Sequence, residues 1–166
     1  MGTVIPEEFG GIGLCHEDLC VLAEEIGRSL APTPFSSSVY LATEAILLAG
    51  SDDQRADYLS RLSAGEAIGC FAFAEGIKKP SPDTIAATFA DGKLSGVKHP
   101  VADGDVADFA VVLAKTPDDA PVLVLASLEG VNAEVMETVD PSRSHAKLVF
   151  DAVSYTHLTL PTKSSG

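Results

Sequence analysis

Apolar residues recur at Leu19, Leu22, Ala23, Ile26 and Leu30, while Glu17, Asp18, Glu24 and Glu25 fall largely elsewhere. Steps of three and four put such positions on one side of a 3.6-residue helix, so the pattern predicts an amphipathic helix after the turn Phe9-Gly10-Gly11-Ile12-Gly13. Pro32 and Pro34 are expected to end it. A second helix is predicted through Val39, Leu41, Ala42, Ala45, Ile46 and Leu48. Its apolar residues occupy more than one face, which predicts burial between neighbours. Ser36-Ser37-Ser38 offers N-caps for it, and Gly50 a C′ residue to close it. Ser51-Asp52-Asp53-Gln54 then has the form of a capping box, with the acidic pair suited to the positive end of a helix dipole. Ala56, Leu59 and Leu62 supply the buried stripe of this third helix, and Gly65 lies just past its end.

From about Ile68 the periodicity changes. Gly69 to Ala74 is short and apolar, and Thr84 to Ala90 and Lys93 to Val97 flank Asp91-Gly92, a hairpin signal because Gly92 tolerates positive φ. Ala107 to Ala114 and Val122 to Ala126 are apolar runs typical of well-buried strands, and Leu148-Val149-Phe150 predicts another. The expectation is an α+β chain: a helical N-terminal domain over residues 1–67, then an antiparallel β-barrel or sandwich domain over residues 68–153.

Composition narrows the function. A hydrophobic content of 46% supports a packed core, and the longest apolar stretch, Ala42 to Ala49, is interrupted by Thr43 and Glu44 and falls far short of the ~20 residues of a membrane span. No secretory signal is visible. The net charge of −13 argues against a nucleic-acid binder. Three cysteines make an odd count, which disfavours a disulfide framework and fits a cytoplasmic location.

Isolated motifs add little. Cys15, His16 and Cys20 do not share a helix face and have no evident fourth partner, so no metal site is expected and small core residues are the better account. Gly10-Gly11-Ile12-Gly13 lacks the surrounding βαβ unit of a dinucleotide fingerprint and is expected to be a connecting turn. Lys78-Lys79 suits a solvated loop, His99 a loop histidine, and Ser36 to Ser38 a capping cluster without a histidine partner for nucleophilic work.

Taken in register, the landmarks resemble the acyl-CoA dehydrogenase family. Ile5-Pro6-Glu7-Glu8-Phe9-Gly10-Gly11-Ile12-Gly13 is similar to the family's Pro-Glu-x-x-Gly-Gly-x-Gly turn, and Ala23-Glu24-Glu25-Ile26-Gly27-Arg28 to its glutamate-rich helix ending in Gly-Arg. Gly50 to Arg55, Tyr58-Leu59 and Ala64-Gly65-Glu66 resemble the Gly-x-x-x-Gln-Lys, Tyr-Leu-Pro and Ala-Gly-Glu landmarks. Cys70 to Gly76 sits where the family has Ala-Leu-Thr-Glu-Pro, and Gly96-Val97-Lys98 and Asp103-Gly104 echo the Gly-x-Lys and Asn-Gly that flank a Trp-Ile-Thr segment. The resemblance spans roughly residues 2–153.

It implies an FAD-dependent oxidoreductase that converts an acyl-CoA to the enoyl-CoA, homo- or hetero-oligomeric when full length, with an electron-transfer partner in reach. The flavin-contacting positions carried over are Phe73, Ala74, Val101 and Ala102, with Ser81 at the substrate mouth. They depart from the family: Ala74 and Ala102 replace threonines, and Pro100 replaces the tryptophan. An alanine leaves only main-chain hydrogen bonds to hold a flavin, so FAD could be kept, weakened or lost. Some relatives are heteromeric, with flavin-poor subunits that complete a partner's site, and a non-catalytic subunit of that kind is the alternative. The catalytic glutamate usually comes from a C-terminal helical bundle, which this sequence does not show, and none of the 24 acidic residues is assigned that role. Ser154 to Thr162 looks like translated sequencing-adapter read-through, so residues 154–166 are expected to be a non-native tail that packs on nothing.

Overall fold

The computed structural model describes residues 2–77, 84–154 and 156–158. The chain opens with a 3₁₀ turn, Glu7–Phe9, that leads into Gly10 at φ 78°. Gly11 follows in a crevice so tight that a Cβ there would lie 2.0 Å from the Ile5 carbonyl oxygen. The first helix, His16–Arg28, starts where the Asp18 carboxylate accepts the Cys15 N–H at 3.2 Å. It stops before the prolines, with Leu30 at φ 48° and its side chain exposed. Leu19 alone on this helix is fully covered, with Ala23 and Ile26 half-buried. Cys15 and Cys20 are exposed rather than small core residues, while Cys70 is buried.

The second helix runs over residues 36–49, first as the wide-turned Ser36–Thr43 and then as Glu44–Ala49. Ser36 to Ser38 do not cap it. The residue before the helix is Phe35, which makes no side-chain cap bond, and the serine hydroxyls are drawn to the sheet instead. Gly50 closes the helix in an extended conformation, φ −70° and ψ 145°, and not as a left-handed residue. Glycine is needed there for space, since a Cβ would come within 2.6 Å of the Ile46 carbonyl oxygen. The third helix, residues 52–64, carries the expected reciprocal cap: Ser51 N–H donates to Gln54 Oε1 at 2.9 Å, and Gln54 N–H to Ser51 Oγ at 3.2 Å. It ends on left-handed Gly65.

Among the described residues eight strands follow: β1 (Gly69–Ala72), β2 (Thr88–Ala90), β3 (Lys93–Ala102), β4 (Phe109–Lys115), β5 (Pro121–Ser127), β6 (Asn132–Val135), β7 (His145–Ser154) and β8 (Thr156–Leu158). They form one curled sheet in the order β6-β7-β3-β2-β4-β5-β8, with β1 beside β4. The fold is α+β as expected, and its neighbouring strands are antiparallel except where β4 meets β1 and β2, which run parallel to it. β1 and β4 start at the same end because the Ile68 N–H donates to Asp108 Oδ2 at 2.7 Å while the Asp108 N–H returns to the Ile68 carbonyl at 2.8 Å. The Asp91-Gly92 turn joins β2 to β3 with both residues at positive φ, the conformation a two-residue hairpin needs. Two irregularities in the β3–β7 pairing, between Leu94 and Gly96 and between Lys98 and Val101, bend the long strand.

β4 shows why its sequence is unbroken in apolar character. Ala110, Val112 and Ala114 face the concave core with Leu94, Val101, Leu148 and Phe150. Phe109 and Val111 face the other way, onto Ile5, Ile46, Leu59 and Leu62 of the helical part. Gly69 lets the second helix approach β1, since a Cβ on it would meet the Phe109 ring at 2.6 Å and Ala42 Cβ at 2.7 Å. The tail expectation is corrected at one place: Thr156–Leu158 does not pack on nothing but pairs with Leu123 to Leu125 of β5. An edge strand offers unpaired N–H and C=O groups to any extended segment, whatever its origin. β6 went unpredicted because all four of its residues are exposed and carry no alternation.

Candidate functional site

The segment that leaves β1 and the far half of β3 lie side by side. His99 N–H donates to the Ala74 carbonyl at 2.9 Å, and Gly76 N–H to the His99 carbonyl at 2.7 Å. The segment Ala74 to Gly76 is thereby set beside His99, in a parallel bridge that pairs Glu75 with His99, and Phe73 stands just before it. His99 is a strand residue here, not the loop histidine expected. Phe73 is 45% exposed, enough to offer a ring face to a ligand. Pro100 is exposed and Ala102 half-buried, whereas Val101 between them is wholly buried in the concave core. Strand alternation thus turns the Pro100 and Ala102 side chains one way and Val101 the other. Val101 can meet a ligand only through its main chain. Ser81, with Lys78 and Lys79, lies outside the described residues.

A buried ion pair fixes this wall. Lys98 has a fully covered side chain and donates to Glu75 Oε1 at 2.6 Å, with a longer bond to the Phe73 carbonyl at 3.4 Å. Glu75 Oε1 also accepts the Ala87 N–H at 3.0 Å, and Oε2 the Ala86 N–H at 2.7 Å. One carboxylate therefore ties the end of β1, the start of β2 and the middle of β3. Burial opposes the charge on Glu75, but the bonds from Lys98, Ala87 and Ala86 outweigh it and hold the carboxyl below its ordinary range. Burial also pushes the Lys98 ammonium down, only partly offset by Glu75. A lysine in the inward phase of a strand, two residues from Gly96, was the available sequence signal for this pair.

The end of β3 is joined to the helical part. Asp103, buried and at φ 58°, pairs with Arg143 and accepts the Ser37 hydroxyl at 2.5 Å. Arg143 also donates to Ser36 Oγ at 2.9 Å and Ser37 Oγ at 3.1 Å. Ser38 Oγ is bonded to Gly69 on both sides, accepting its N–H at 2.9 Å and donating to its carbonyl at 3.0 Å. The serine cluster is a seam between helix and sheet, legible only once the partners from β1, β3 and β7 are known.

One residue near the wall gave no sequence signal. His145 opens β7 and stands opposite Ala102 in the β3–β7 register. Its Nδ1 is buried without a hydrogen-bond partner, as are Asp105 Oδ1 and Arg143 Nε in the same corner and Arg55 Nε elsewhere. Set against a flavin, the wall has flat or small surfaces in Phe73, Ala74, Pro100 and Ala102, none with a side-chain donor or acceptor. The small side chains of Ala74 and Ala102 leave room for such a ring, which the residues present fit in size while offering it no side-chain hydrogen bond as they stand. No group of acidic, histidine or cysteine side chains among the described residues could hold a metal ion, and no helix there is long and apolar enough to cross a membrane.

Residues 1–66 match the family model described as "Acyl-CoA dehydrogenase, N-terminal domain". The chain is 32% identical over 128 residues to the very long-chain specific acyl-CoA dehydrogenase, mitochondrial, of Homo sapiens, covering 72% of this chain and 20% of that protein. A solved Tcur3481-Tcur3483 steroid ACAD variant superposes with a TM-score of 0.80 at 32% identity, over 95% of this chain and 44% of that one. The acyl-CoA dehydrogenase complexed with FAD from Bacillus anthracis superposes with a TM-score of 0.84 at 23% identity, over 96% and 29%, and so shares the fold. The chain thus spans a fifth of the length of the human relative and under half of either solved chain.

Proposed function

The chain belongs to the acyl-CoA dehydrogenase family, and from that premise we propose that it forms the helical and β portions, divided near residue 67, of an FAD-dependent oxidoreductase acting on an acyl-CoA thioester. The observation that carries this is the wall in which the segment Ala74 to Gly76 is bonded alongside His99, between exposed Phe73 on one strand end and the stretch Pro100 to Ala102 on the other. Phe73 and Pro100 are exposed apolar rings there, suited to an aromatic cofactor, and the wall is braced by Lys98 and Glu75. Bound FAD would supply the acceptor for the hydride that leaves the β-carbon.

The residues of this chain would do the holding. Phe73 would pack on the ring, Ala74 and Ala102 would let it approach the main chain, and Ser81 is the residue we propose for the substrate mouth. We assign no carboxylate here to the removal of the α-proton. Glu75, the one nearest the wall, already spends its oxygens on Lys98, Ala86 and Ala87. The base belongs to another segment of the assembled enzyme, and an oligomer with an electron-transfer partner would complete the cycle.

Expression of the full-length protein tests the assignment. We expect purified protein to carry FAD and its visible flavin band to bleach when acyl-CoA is added without oxygen. Protein that retains flavin but fails to bleach with any acyl-CoA would overturn the dehydrogenase assignment. A second function is favoured by the loss of hydroxyl groups at Ala74 and Ala102: a flavin-poor subunit that completes a relative's site. Colourless protein that raises the activity of a co-expressed relative would establish that one instead.

A further inference from the structure

We infer that His145 is a flavin-binding residue, filling from the neighbouring strand the hydrogen-bonding place that Ala102 leaves empty; this rests on the FAD assignment above. The first support is register. Ala102 and His145 are direct partners in the antiparallel β3–β7 pair, and residues directly opposite project to the same face with Cβ atoms roughly 5 Å apart. That face is the one bearing Pro100, since Val101 and its partner Ala146 both point into the concave core.

The second support is the state of the imidazole. A buried polar atom without a partner carries a desolvation penalty, and such atoms are few in folded proteins. Nδ1 of His145 is one of them. A half-turn of the ring about its Cβ–Cγ bond exchanges Nδ1 with Cδ2, and that torsion has two broad, near-equivalent settings. The nitrogen can therefore turn to the open face when a polar ring edge lies there. The third support is the neighbourhood. His145 is held beside the wall by main-chain bonds on both sides, its carbonyl accepting the Met136 N–H at 2.8 Å and the adjacent Ser144 carbonyl the Asp103 N–H at 3.0 Å. The imidazole is thus carried on a rigid strand end braced by the Asp103–Arg143 pair.

The test uses full-length protein stripped of flavin and titrated with FAD, read by flavin fluorescence and by the positions of the visible bands. Loss of one hydrogen bond in H145A is expected to weaken FAD binding about tenfold. The melting temperature of the flavin-free form is measured alongside, so that packing lost with the imidazole is separated from loss of the bond to FAD. The double variant A102T/H145A, which returns a hydroxyl to the neighbouring strand, should recover binding to within about threefold of the parent. If H145A does not fold, H145N and H145Q replace it: asparagine sets a polar atom at the Nδ1 position and should keep FAD, whereas glutamine sets it at Nε2 and should not. Unchanged FAD affinity and unshifted bands in H145A, or equal behaviour of H145N and H145Q, would overturn the assignment. Parent protein that takes up no FAD at all would remove it together with the FAD assignment, whereas flavin-replete parent protein that H145A leaves unaffected would remove it alone.

Discussion

Lys98 and Glu75 hold opposite charges in a place where neither would be stable alone. Breaking such a pair from one side leaves the other charge buried, so K98M is expected to destabilise the chain by about 3 kcal/mol, measured by urea unfolding near neutral pH. E75Q keeps some hydrogen bonding and should cost less. Because the Glu75 carboxyl is held low in the fold, its contribution is complete above the ordinary carboxylate range. It is lost as the pH falls through the lowered folded value. Lys98 acts at the other end of the scale. Burial lowers its pKa, so the charged form opposes folding below that value, and the opposition fades as pH rises toward the ordinary lysine range. The acid limb of a stability–pH curve should therefore be shallower in E75Q than in the parent; identical limbs would show that Glu75 is not held low. Gly11 makes a simpler case. With a Cβ 2.0 Å from the Ile5 carbonyl oxygen, G11A can fit only by moving backbone, and a loss of about 2 kcal/mol or more is expected.

The elements differ in how far their sequences announce them. The third helix was legible from four residues because its cap is built from neighbours in the chain, Ser51 and Gln54. S51A should cost about 1 kcal/mol in the same unfolding measurement. The Asp91-Gly92 hairpin was legible for the same local reason. Ser36 to Ser38 misled, because a serine run beside a helix carries one sequence signal whether its hydroxyls turn to the helix or to a distant strand. Ser38 turned to Gly69 and Ser37 to Asp103, contacts more than thirty residues away. S38A removes both bonds to Gly69 inside a seam closed to water and is expected to cost about 2 kcal/mol, against a few tenths for a serine exposed to solvent. At the candidate site the motif order proposes Phe73, Ala74, Val101 and Ala102, but not which of their side chains turn outward. His145 was silent because strand register, unlike helix periodicity, is written in no single stretch of sequence.

As a whole the molecule joins a helical part to a curled sheet through β4, whose two faces serve two cores. Its charge is strongly negative, with an isoelectric point near 4.5, so solubility of the chain should be lowest around that pH and recover above it. Light scattering across a pH series would check this, and an unchanged signal between neutral pH and the isoelectric point would contradict it. The long β3–β7 pairing has a consequence in time. Val97 pairs with Val149, roughly fifty residues later in synthesis. At ~5–20 residues per second, a ribosome exposes β3 for several seconds before its partner leaves the exit tunnel. During that interval the nascent chain presents an unzipped edge, so chaperone capture and co-translational misassembly should concentrate on the stretch between the Asp91-Gly92 turn and β7.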